Sequence, residues 1–344
     1  MWLFIVGCAK LPEQDPAEAA RPRVPSPTSA MYVHVARPPS DGLVARAWGA
    51  PIDESLSGAA GAAAFRVLRS GGTNAAEVRW MAVLAGYPWP IERAELERTA
   101  PDAVAESLLT VARSHADRDL GLVRAREASV DQWVLLVGAR RGELPAFPRE
   151  PDTGTTLSFP GLSVQATSPS GRALGGVDAL TVDEPGEWLV SLTDAAGEVA
   201  RFPLYADGET PRTAPVSASA SEPGADPEDA LLAHLDALDR WYGRGPPEHD
   251  RALDAVARAR LRDLLADRPV PAAEPQLAAA GYFSGTAGEC RGATVADCLD
   301  AMWWSHSGHA ALARPWATVG YAIAPDGAGL AISLTVAASP PPAW

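Results

Sequence analysis

Residues 281–290 read Gly-Tyr-Phe-Ser-Gly-Thr-Ala-Gly-Glu-Cys, and the same stretch continues to Trp303-Trp304-Ser305-His306-Ser307-Gly308-His309 and closes on Val319-Gly320-Tyr321-Ala322-Ile323-Ala324. His306 and His309 are two of the six histidines in the chain. Their i, i+3 spacing puts both rings on one side of a helix. Glu289 precedes them by one short helix, on what reads as a loop. An acid against an imidazole favours both charged forms and would hold that loop to the helix. The candidate cleft is therefore Glu289, His309, His306 and Ser305. In its plain form His309 is buried on Glu289 and His306 faces solvent. The alternative gathers Glu289, His306 and His309 around a divalent metal, with three ligands as such sites require. Ser305 and Ser307 lie near His309, but no Gly-x-Ser-x-Gly elbow accompanies them.

Upstream of this stretch, Asp226-Pro227-Glu228-Asp229 opens a helix with acids at its positive end. Leu231, Leu232, Leu235, Leu238 and Trp241 form its apolar face, and Gly243 to Pro247 stop it. A second helix spans 250–268 with Leu253, Val256, Leu261, Leu264 and Leu265; its arginines read as a solvated face. Cys290 and Cys298 flank the start of the next helix. In an exported protein they suit a local disulfide. As free thiols they would be two small buried apolar groups.

Residues 226–338 resemble the CAP superfamily, the cysteine-rich secretory, antigen 5 and pathogenesis-related-1 group. Ala280-Gly281-Tyr282 followed by Gly288-Glu289-Cys290 is similar to its Gly-Glu-Asn segment, with Cys for Asn. Trp303 to Gly308-His309 is similar to its Trp-x-x-Ser-Pro-Gly-His motif, with Ser307 for Pro. Leu312 and Val319-Gly320-Tyr321-Ala322 match the segments that follow. The resemblance implies an α-β-α sandwich with a cleft of two histidines and two acids. Glu289 stands for the first acid and His309 for the second histidine; the interval 268–280 holds no histidine for the first. The resemblance implies a degenerate cleft that binds a lipid, small molecule or protein rather than catalysing. The rival function is an acid/base or metal-assisted hydrolase using Glu289 and His309.

The rest of the chain reads as α+β and multidomain. Residues 41–148 form an α+β domain: a helix over 59–70, a second capped by Asn74 that carries Val78, Met81 and Leu84 and stops before Pro88, a third over 103–115, then strands at Leu120 to Val123 and Trp133 to Val137. Residues 149–207 alternate, with Leu157, Phe159, Leu162, Val164 and later Trp188, Val190, Leu192, and read as a small immunoglobulin-like sandwich without chemistry. Residues 208–225 are a linker, and 226–340 the CAP-like domain. The segment Ser107 to Ala125 parallels Ser307 to Ala324, which leaves open a decayed internal repeat.

Residues 1–8 end on Ile5-Val6-Gly7-Cys8, similar to a truncated lipoprotein signal of bacterial type with Cys8 as the lipidated residue. The proline-rich segment 9–40 would serve as its stalk. The expected location is outside the cytoplasm, lipid-anchored or extracellular, with contact to membrane only through Cys8. A net charge of −14 excludes an electrostatic nucleic-acid binder. No cofactor is expected beyond the alternative divalent metal.

Overall fold

Two layered units of the same topology flank a single antiparallel sheet. The computed structural model describes residues 31–70, 75–127, 129–216 and 225–338. Cys8, most of the stalk and Asn74 lie outside the described residues.

The N-terminal unit begins with two short strands, β1 (Met31–Tyr32) and β2 (Ala36–Arg37), and a helix, α1 (Gly42–Trp48). Strand β3 (Ile52–Asp53) delivers Asp53 to the start of helix α2 (Glu54–Ser70), where its Oδ1 accepts the Leu56 amide at 2.7 Å. The side chain thus satisfies a donor that a helix start leaves orphaned. Helix α3 (Ala75–Ala85), strand β4 (Ile91–Thr99), helix α4 (Glu106–Ser114) and the hairpin β5 (Asp119–Glu127) and β6 (Val130–Gly138) follow. The sheet order is β4-β6-β5, antiparallel throughout. Alternation along β6 sends Trp133, Leu135 and Val137 into a core with Leu108 and Leu109 of α4, and Val134 and Leu136 into the core on the α2 side. Helix α2 lies so close that a Cβ on Gly121 would fall 2.4 Å from the carbonyl carbon of Leu56.

A short strand, β7 (Phe147–Pro148), pairs with β1. The middle region is β8 (Thr156–Thr167), β9 (Ala173–Thr181), β10 (Gly186–Asp194) and β11 (Gly197–Ala206), one sheet in the order β11-β10-β8-β9. The expected sandwich is thereby corrected to a single sheet. Alternation reports that a strand has one apolar face and is silent on what covers it. Here Tyr32 and Phe147 supply part of the cover, with ring centroids 5.1 and 4.7 Å from Phe202. Tyr32 is fully buried and donates to the Pro203 carbonyl at 2.8 Å, so a free stalk extending to residue 40 is also corrected. The 208–225 linker is docked at its start: Thr210 is buried, and Trp80 Nε1 donates to the Pro211 carbonyl at 3.0 Å.

The C-terminal unit starts with α5 (Pro227–Trp241) and β12 (Glu248–His249). It continues with α6 (Arg251–Leu265), α7 (Ala273–Ala279), β13 (Gly285–Gly292), α8 (Val295–Trp303), α9 (His306–Ala313), β14 (Thr318–Asp326) and β15 (Gly329–Ala337). The sheet order is β12-β14-β15-β13. Helix α6 packs on one face and α8 and α9 on the other.

Helix, helix, strand, helix, strand, strand, with the last strand interior to the sheet, is the order in both units, except that the C-terminal one has two helices, α8 and α9, where the N-terminal one has α4. The details repeat as well. Asp250 caps α6 as Asp53 caps α2. Ala85-Gly86-Tyr87 ends α3 and Ala280-Gly281-Tyr282 ends α7, with Gly86 at φ 88° and Gly281 at φ 92°. In each, the tyrosine amide reaches back to the helix, to Ala82 at 2.9 Å and to Leu277 at 2.9 Å. Only glycine takes that left-handed position without strain. A Cβ on Gly320 would fall 2.4 Å from the Leu253 backbone, as one on Gly121 would from Leu56.

Gly121→Ala and Gly320→Ala are each expected to destabilise the chain by about 2 kcal/mol through overpacking against backbone. Gly175→Ala, with nothing within 4 Å of the added carbon, is expected to change stability by under about 0.5 kcal/mol. Urea midpoints of the three variants check this.

Candidate functional site

Glu289 lies on strand β13, where the sequence reads as a loop. Neighbouring residues of a strand face opposite ways. Gly288 turns to α9, where a Cβ would fall 2.8 Å from the Gly308 Cα. Glu289 therefore turns to α6. There its Oε1 accepts from Arg260 Nε, and Ser333 Oγ donates to the same oxygen at 3.3 Å. Arg260 is buried and also donates to the Pro271 carbonyl at 2.8 Å and to Gln276 Oε1 at 3.0 Å. The solvated face expected for the α6 arginines is corrected at this residue.

His309 is on the other side of the sheet. Its Nδ1 stands 3.2 Å from the Trp303 carbonyl and so carries the proton, and its Nε2 is buried without a hydrogen-bond partner. The ring meets Trp303 edge-on at 4.9 Å. Burial lowers its pKa to about 3. Glu289 and His309 make no contact, and the acid–imidazole cleft is corrected to two separate structural residues. With it go the Glu289, His306, His309 metal set and the acid/base pair of the hydrolase alternative.

His306, expected to face solvent, is half-buried between α9 and the middle sheet. Its Nε2 is 2.9 Å from Ser191 Oγ and its Nδ1 2.8 Å from Thr167 Oγ1. Ser191 Oγ accepts from Arg201 Nε at 3.0 Å, so its own hydroxyl hydrogen is free for Nε2. His306 then donates from Nδ1. Burial first, and Arg201 second, lower its pKa to about 4. Ser305 is the N-cap of α9: its Oγ accepts the Gly308 amide at 3.1 Å. Cys290 and Cys298 form a disulfide joining β13 to α8.

An open groove of about 760 Å³ runs along the outer edge of β14, bounded by α6 and the start of α5. Strand β12 covers only Thr318 and Val319. The Val319 carbonyl points outward to accept the Asp250 amide at 2.8 Å. Tyr321 and Ile323, two and four residues on, present their amides and carbonyls to the same side. Asp254 Oδ1 takes the Tyr321 amide at 3.1 Å, leaving the Tyr321 carbonyl and both backbone groups of Ile323 beyond the end of β12. The acids here have partners. Asp254 lies 3.0 Å from His249 Nε2, and Glu228 Oε1 accepts the Tyr321 hydroxyl at 2.9 Å. His249 stacks on Tyr321 with centroids 5.2 Å apart. Arg258 and Arg262 line the groove on the α6 side, exposed. Among the described residues neither makes an ion pair or a side-chain hydrogen bond.

The other polar concentration is in the N-terminal unit. His34 Nδ1 lies 2.7 Å from Asp53 Oδ2 and 3.7 Å from Asp119 Oδ2. Burial raises the pKa of Asp53, with Asp119 adding to the rise. Sequence reading missed both places. The parallel between Ser107 to Ala125 and Ser307 to Ala324 sets Leu120-Gly121 against Val319-Gly320, and carried one residue back it sets Asp119 against Thr318.

No protein-family model, no curated protein and no solved structure matches the chain.

Two outcomes test the corrected site. Glu289→Gln leaves Arg260 buried without its counter-charge and is expected to cost about 3 kcal/mol. Glu289→Leu with Arg260→Met is expected to cost much less, both read from urea melts. An unfolded imidazole titrates near 6.5. The neutral His309 ring therefore contributes its stability in full above that pH, and loses it as pH falls toward 3. Between pH 6.5 and 4 the His309→Phe chain is expected to lose on the order of 2 kcal/mol less stability than wild type.

Proposed function

We propose that this chain is an exported binding protein whose ligand is an extended acidic peptide, added as a strand to the outer edge of β14. The observation that carries the reading is the pairing of an uncovered strand edge with two free arginines. An added strand hydrogen-bonds to the Tyr321 and Ile323 backbone. Its side chains then alternate, and every second one faces α6. Arg258 and Arg262 are one helical turn apart, a rise of about 6 Å. Two residues of a strand cover about 6.6 Å. Acids at alternate positions of the peptide therefore match the two guanidiniums in register. The chain is acidic overall, but salt screens charges beyond about 8–10 Å, so the local arginines decide.

Export is supported by the Cys290–Cys298 disulfide, which persists in oxidising compartments. The layering of α6, the β12–β15 sheet and α8 with α9 is what the CAP resemblance implies for the fold. The ligand surface proposed lies on the sheet edge, away from the cleft of that family. The separation of Glu289 from His309 removes the acid/base pair of the hydrolase alternative and supports a binding role.

A fluorescent peptide with Glu and Val alternating over seven residues serves as the probe. Micromolar binding that weakens with salt is expected. Arg258→Glu with Arg262→Glu is expected to weaken it by tenfold or more. Ile323→Pro, which removes the outward amide on an edge strand, is expected to do the same. No binding by wild type, or equal binding by the charge-reversed chain, would sink the reading.

A further inference from the structure

The two units isolate what their shared fold needs from what one of them has added. Both use an aspartate to cap the first long helix, a Gly-Tyr to end the next, and a glycine in the strand beneath. In the C-terminal unit the capping Asp250 takes the Tyr282 hydroxyl as well as the Ala252 amide. In the N-terminal unit the matching Tyr87 turns instead to Asp119 Oδ2, at 3.2 Å. Asp119 opens β5 where Thr318 opens β14. Asp53 Oδ2 is left fully buried without a hydrogen-bond partner. His34 Nδ1 has none either, although the two atoms are 2.7 Å apart. The two form an acid–imidazole contact, and neither atom has a hydrogen-bond partner outside the cluster.

We propose that His34 Nδ1, Asp53 Oδ2 and Asp119 Oδ2 together bind a divalent first-row metal ion, zinc by their chemistry. The ligand atoms lie within 4.8 Å of one another. Bonds of about 2.0–2.2 Å to one ion put neighbouring ligand atoms about 3.0–3.5 Å apart. The observed 2.7 and 3.7 Å from His34 bracket that spacing. One imidazole and two carboxylates are a ligand set that zinc accepts, and three protein ligands leave a position open.

The surroundings have the character of an outer shell. The Leu56 amide holds Asp53 Oδ1 at 2.7 Å. Arg140 Nε donates to Asp119 Oδ2 at 2.9 Å, and Tyr87 to the same oxygen. Such partners fix the ligands in place. The segment bearing His34 is clamped on both sides, by Val33 N–H to the Gly86 carbonyl at 3.0 Å and Glu54 N–H to the Val35 carbonyl at 2.8 Å. The His34 side chain is 20% exposed while its Nδ1 is buried, so an ion enters by a turn of that ring. Two carboxylates against the single guanidinium leave the pocket short of positive charge.

The test is zinc competition against a chromophoric chelator, with the full chain alkylated so that the Cys8 thiol is no competing ligand. Wild type is expected to bind one equivalent and to gain several degrees in Tm with zinc. His34→Ala and Asp119→Thr are each expected to lose affinity tenfold or more and the Tm gain with it. Threonine is the residue the sister unit carries at that position, and circular dichroism confirms that each variant folds. His34→Ala, at a partly exposed residue, carries the test should Asp119→Thr unfold. Wild-type affinity no tighter than that of the folded variants, or no Tm response in wild type, overturns the proposal.

Discussion

The C-terminal unit depends on the approach of two backbones at Gly288 and Gly308. A side-chain carbon on either glycine would enter the other's element or the Met302 that lies beside both. With hydrogen at both positions, α9 settles directly on β13. Everything nearby follows from strand parity. If Gly288 faces α9, Cys290 shares that face and meets Cys298 on α8, while Glu289 is sent through the sheet to α6. The motif residues that stand side by side in the sequence, a glycine with an acid and a glycine with a histidine, are thus sorted. The glycines meet, and the acid and the imidazole are parted by the sheet.

Parity also explains which part of the site was legible. Helices α2 to α6 and the β5–β6 hairpin are visible as periodicity, because burial imposes it. The disulfide was legible as a local pair. The facing of Glu289 was not, because reading 285–292 as a loop discards the alternation that decides it. A shift of one residue between loop and strand exchanges cleft for core. The middle sheet failed for a different reason. Its strands declare one apolar face, but Tyr32 and Phe147, which help to cover it, come from segments too short to show any period. His34 was hidden the same way, in a segment whose prolines suggest a stalk and whose hydrogen bonds to Gly86 and Glu54 exist only in the folded chain.

The resemblance between the two units bears on what each residue is for. A repeated fold supplies its own control: a feature present in both copies serves the fold, and a feature in one copy alone needs another reason. The capping aspartates, the Gly-Tyr helix ends and Gly121 with Gly320 belong to the first kind. The His34–Asp119 pair belongs to the second, and so do Arg258 and Arg262 on α6. Arg260, between those two in sequence, is again structural, since it neutralises Glu289 beneath the helix. These three of the four arginines on α6 thus divide by direction alone.

That division also accounts for a feature that bulk charge conceals. The chain has 43 acidic residues against 29 basic ones, so arginines left without an acidic partner stand out. Around β14 the acids are close at hand, yet each is already engaged. Asp254 closes the strand amide next to its own helix, and Glu228 holds the tyrosine that carries the stacked histidine. Releasing either acid to pair with Arg258 or Arg262 would reopen an edge amide or unseat Tyr321. The strand edge and the arginines stay free together because the groups that would quench one are committed to shaping the other.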